Sequence, residues 1–149
     1  MHGAAFCMLL GSRGVAVAQE RSQLVDIGVI LSLSTDDRPM PHMTPPFWTP
    51  SPDQLAQLEA QLKPYLDGSH QGKWIAELGV YKRQYVGYTE RGKRRIFVNS
   101  FCEQFWKREE SWRDQLVIVF DGGPCFHSVH YDTSSSQFDR LQINGPWRF

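Results

Sequence analysis

The chain has 149 residues, 41% of them apolar and 21% charged, with 16 basic side chains balancing 16 acidic ones. That is enough for one domain with a real core, too few for two comfortable ones, and the wrong composition for a disordered chain. Zero net charge argues against a partner held mainly by electrostatics, so neither nucleic acid nor an anionic membrane surface is expected.

Residues 1–18, "MHGAAFCMLLGSRGVAVA", read as an export signal. An apolar run from Ala4 to Leu10 is followed by small residues and an A-x-A site, Ala16-Val17-Ala18. The pattern has two defects, which a misplaced start codon would explain: no Lys or Arg leads it, and Arg13 interrupts it. A periplasmic or secreted location is therefore expected. Residues 19–50 form an N-terminal segment and a linker. Within them Leu24–Leu33, "LVDIGVILSL", is too short and too polar to span a bilayer and reads as a buried strand or short helix. Ser34 to Pro52 holds Pro39, Pro41, Pro45, Pro46, Pro50 and Pro52. Proline fixes φ and removes a donor, so an extended linker is expected, pinned by Phe47 and Trp48.

The single α+β domain is placed at 51–149. Ser51-Pro52-Asp53-Gln54 is a helix start with a capping box, and Leu55, Leu58, Leu62 and Leu66 make one apolar stripe. Pro64 is expected to end or kink that helix. From Tyr81 the period becomes two, turns at Arg91-Gly92, and returns through "RRIFVNSFC", a hairpin. Glu103–Gln115 reads as a short helix or structured loop. "LVIVF", Leu116–Phe120, is continuously apolar and β-branched, as a strand buried on both faces would be. Asp121-Gly122-Gly123-Pro124 is turn chemistry, and "CFHSVHY" and "FDRLQI" are the last two strands. The expected fold is one helix packed on a curled, mainly antiparallel sheet of about five strands, a cystatin-like roll.

No catalytic or metal site is predicted, and no cofactor. His127 and His130 are three apart on a strand, so they point to opposite faces and are expected half-exposed. Cys125 and His127 share a face at a separation of about 6.6 Å, beyond hydrogen-bond reach. Once a signal is removed, Cys102 and Cys125 are the remaining thiols, and a disulfide between them is predicted, with free buried cysteines or a catalytic thiol as alternatives. The cluster Arg91, Lys93, Arg94, Arg95 reads as a solvated hairpin tip.

Tyr85, Gly87, Asn99, Cys102, Trp112, Asp121, Gly122, Gly123, Cys125, Tyr131, Asp132, Phe138, Asn144 and Gly145 make a pattern over about residues 80–145. It resembles a group of small exported bacterial proteins with no assigned activity. Members of that group more often continue after Asn-Gly with Glu-Ala, where this chain has Pro146-Trp147-Arg148-Phe149. The resemblance implies export and one compact domain. The expected function is a non-enzymatic module binding a protein, peptide or glycan; the rivals are a small envelope hydrolase and a structural subunit of an envelope complex. The aromatic excess nominates Tyr81, Tyr85, Tyr88, Trp106, Trp112 and Trp147 as contacts.

Overall fold

The computed structural model describes residues 26–37 and 39–145. The segment expected to be an export signal, residues 1–18, and Trp147 lie outside the described residues. The strands are β1 (Gly28–Ile30), β2 (Thr44–Trp48), β3 (Lys82–Glu90), β4 (Lys93–Phe101), β5 (Phe126–Asp132) and β6 (Gln137–Ile143), with a long helix α1 (Pro52–Gly68) and a single turn of helix α2 (Glu103–Trp106). The fold is α+β. The six strands form one mixed sheet in the order β1-β3-β4-β5-β6, and β2 shares the outer edge of β3 with β1. β1 runs parallel to β3; the other pairs are antiparallel.

Helix α1 begins as its sequence requires. The Ser51 hydroxyl accepts from the Gln54 amide at 3.2 Å, and the Ser51 amide donates to the Gln54 side chain at 2.9 Å. Leu55, Leu58, Leu62 and Leu66 are buried and pack on Tyr85, Ile96, Val98, Val129 and Tyr131 of the sheet. Each buried leucine contributes about 2 kcal/mol of transfer free energy. Pro64 neither ends nor breaks the helix, which continues to Gly68. Pro64 and Ala60 are both exposed, so the carbonyl that loses its partner faces water. Beyond it, Leu66 is buried and its carbonyl accepts from the Ser69 amide and hydroxyl.

The β3–β4 hairpin turns on Arg91 (φ 50°) and Gly92 (φ 76°), with Glu90 paired to Lys93. Two positive φ values match the right-handed strand twist. Of the basic cluster at this tip, Arg95 is not solvated. It is buried between Asp139, with which it pairs, and Glu90 at 3.5 Å.

Three expectations are corrected. The proline-rich segment is more than a linker, because Thr44–Trp48 pairs with β3 at its outer edge. Gly87 allows this approach, since a side chain there would collide with the Trp48 carbonyl. Leu116–Phe120 is not a strand. Its place beside β4 is taken by β5, whose Phe126 pairs with Phe101. The two histidines are buried, not half-exposed.

Register also explains the disulfide. Pairing Phe101 with Phe126 brings Cys102 and Cys125 to one rim of the sheet, Cα to Cα 4.8 Å, and they are bonded. Residues 103–124 leave that rim and return to it. Replacing both cysteines with serine is expected to lower unfolding free energy by about 3 kcal/mol. Urea denaturation with and without reductant checks this: reductant should shift the wild-type midpoint and leave the double variant unmoved.

Candidate functional site

The sheet has two covered faces. Tyr85, Val98 and Val129 face α1; Val86, Tyr88 and Phe97 face a second cluster with Leu31 and Met43, roofed by Met40, Phe47 and Leu116. Strand alternation divides the nominated aromatics between these faces. Tyr81 is buried, its ring 4.8 Å from His127 and its hydroxyl donating to the Pro124 carbonyl at 2.9 Å. Tyr85 lies under α1 and donates to Glu59 at 2.5 Å. Tyr88 is on the opposite face, 2.7 Å from His130 Nδ1. Trp112 is buried against Phe101. Trp106 is half-buried, donates to the Val80 carbonyl at 3.1 Å, and carries Lys82 and Lys107 over its ring. The structure brings these side chains to no common surface; four of them are core.

The titratable groups are bound into internal networks. Tyr88 Oη, His130 and His42 form a chain, with 3.3 Å between the two Nε2 atoms. Burial first, then the positive field of His42, Arg140 and Arg95, pushes His130 down to about 3. On the other face, burial and then Arg83 push His127 down to about 3. His127 and His130 thus diverge, as the strand alternation requires. Among the described residues, no group of three or more His, Cys, Asp and Glu is placed to hold a metal ion.

The distinctive surface is in the disulfide-closed excursion. Gln84, a buried strand residue, turns both ends of its amide to it, its oxygen also accepting from Asn99 at 3.1 Å. Its nitrogen donates to the carbonyls of Trp112 and Gln115, both at 2.6 Å, and its oxygen accepts from the Val117 amide at 2.9 Å. Asn99 donates to the Val117 carbonyl at 2.8 Å, and Asn144 donates to that of Val119. Amides shielded from water must be satisfied, and here their partners include the backbone of Trp112 and of Gln115–Val119. Three side-chain amides therefore hold over the sheet the segment that strand pairing would otherwise have claimed.

That arrangement leaves apolar side chains outside. Phe120 is 88% exposed and Ile118 50%. They border a cleft of about 110 Å³ lined in part by Met40, Phe97, Phe126, Ser128 and Gln142. The lining carries no ionisable side chain, so the cleft suits apolar groups and neutral hydrogen-bonding partners. Sequence reasoning missed Ile118 and Phe120 because their segment reads as core. The signal present was Gln84 and Asn99, two amides at interior strand positions that needed partners. Comparison of the chain with protein-family models, curated proteins and solved structures found no match to any of them.

Proposed function

We propose that the protein is a non-enzymatic binding module of an oxidising compartment, periplasmic or secreted, which takes a protein or peptide partner at Leu116–Phe120. The observation that carries this reading is the exposure of Ile118 and Phe120 on a segment held in place by Gln84, Asn99 and Asn144. A large ring left in water beside an uncharged cleft is costly for a free surface and useful for a contact. The disulfide supports the compartment, since such bonds persist where thiols are not kept reduced. A protein or peptide is favoured over a glycan because Trp106 is engaged by Val80, Lys82 and Lys107.

The test is selection of displayed random peptides on the immobilised, oxidised chain, beside Phe120→Ser and Ile118→Ser. The expected result is enrichment of sequences with alternating apolar residues, lost in both variants. Enrichment indifferent to both substitutions, or none at all, removes the reading.

A further inference from the structure

Residues 115, 117 and 119 send their backbone groups toward the sheet: the Gln115 carbonyl, the Val117 amide and carbonyl, and the Val119 carbonyl all meet side-chain amides of Gln84, Asn99 or Asn144. A period of two is the signature of an extended chain, whose alternate residues offer their N–H and C=O to opposite edges. Leu116, Ile118 and Phe120 therefore offer theirs to the outer edge. Among the described residues, nothing hydrogen-bonds the backbone of these three. The segment lies outside the sheet as an extended stretch with one edge satisfied by side chains and the other open.

We infer that Leu116–Phe120 pairs antiparallel with the same residues of a second copy of this chain, about a two-fold axis at Ile118. The inference rests on the binding reading above and names the partner. Three outward residues centred on Ile118 match themselves under a two-fold: Ile118 faces Ile118, and Leu116 faces Phe120. Charge sets the register. With Ile118 on the axis, the Asp121 carboxylate of one copy faces Gln115 of the other, whose amide is a donor. Of the neighbouring registers that use the same edges, one places Asp121 against Val117, and the other runs Phe120 past the extended stretch onto Asp114, where the chain turns at ψ −11°. The first sets a carboxylate on an apolar side chain and the second loses an extended partner, so the register with Ile118 on the axis is favoured. Within Leu116–Phe120 there is no charge and no proline to block the pairing.

The test is sedimentation velocity of the full oxidised chain over a concentration series, with Ile118→Lys and Ile118→Glu measured singly and mixed. Ile118 is half-exposed, so neither substitution disturbs the core. The expected result is a wild-type dimer, weakened roughly a hundredfold in each variant because like charges meet on the axis, and a heterodimer restored in the mixture. A wild-type monomer at every concentration overturns the inference, as does an Ile118→Lys variant that dimerises like the wild type. Failure of the mixture to restore pairing overturns the two-fold register. If the chain stays monomeric while displayed peptides still enrich through Ile118 and Phe120, the binding reading stands and the second copy is not the partner.

Discussion

Acidifying the protein from about pH 7 to about pH 5 is expected to destabilise the fold by roughly 4 kcal/mol. The cause is two buried imidazoles. His127 is 1% exposed and His130 4%, and each is pushed down to about 3 in the folded state, chiefly by burial. In the unfolded chain both titrate near 6.5. Between these values the unfolded state binds more protons, so stability is full above about pH 6.5 and is lost as pH falls toward about 3. Each histidine contributes a slope of about 1 kcal/mol per pH unit in that window. His42, also lowered by burial first, acts in the same direction. Glu90 is held low by its hydrogen bond from Arg140, so its contribution is lost only further down, where carboxylates protonate. Urea denaturation at a series of pH values reads the slope, and His127→Gln should remove about half of it. A flat profile from pH 7 to pH 5 would show that the imidazoles are not shielded as the geometry requires.

A second large effect is expected beneath α1. Glu59 on the helix accepts from Arg83 Nε at 2.8 Å and from Nη2 at 2.7 Å, while Tyr85 Oη donates to the same carboxylate. The Arg83 side chain is 4% exposed and that of Glu59 13%. Burial works against the Arg83 charge, and the neighbouring Glu59 carboxylate outweighs it. Burial and then that same carboxylate raise the Tyr85 hydroxyl far above its ordinary value, so it remains a donor. Glu59→Gln leaves a guanidinium buried without its counter-charge and is expected to cost about 3–5 kcal/mol. Replacing the whole pair, Glu59→Leu with Arg83→Met, removes both desolvated charges and should recover most of that loss. Measured unfolding free energies decide it. A single substitution costing under about 1 kcal/mol would mean that water reaches the pair.

The sheet is closely packed on its helix face and carries a loop on the other. The helix face is closed by leucines and one buried ion pair. The second face holds up a disulfide-bounded loop through three amides, and that loop carries the most exposed aromatic ring among the described residues. Anchoring beneath an exposed apolar segment is what the proposed binding surface needs, because less freedom is lost on association.

Local chemistry was readable wherever it was self-contained. The capping box at Ser51, the leucine stripe, the Arg91-Gly92 turn and the divergence of His127 from His130 each follow from spacing within a few residues, and the structure has all four. The cysteine pair was expected only on the assumption that a signal carrying Cys7 is removed, with free cysteines as an alternative, and the structure bonds the two. Leu116–Phe120 was not. β-Branched composition records a preference for burial and extension, and the segment is partly buried with the hydrogen-bond period of an extended chain. Whether an extended segment joins a sheet depends on which strand edge is free, and the Phe101–Phe126 register had already filled that beside β4. The proline-rich segment failed for a related reason. Proline blocks a central strand, yet Thr44–Trp48 needed only one partner edge, and β1 leaves the far half of β3 open to it. The aromatics behaved likewise. Composition announces large rings, while strand parity and the cover on each face decide which of them meet water.

The amino-acid sequence by itself determined the α+β class, the helix and its buried stripe and the Arg91-Gly92 hairpin turn, because each is dictated by short-range stereochemistry; the disulfide it left as one of several alternatives. Only the tertiary structure decided that Ile118 and Phe120 stand outside and that Tyr81, Tyr85, Tyr88 and Trp112 stand inside. Exposure is a competition among distant segments for one sheet's edges and faces, and no single stretch of chain contains its outcome.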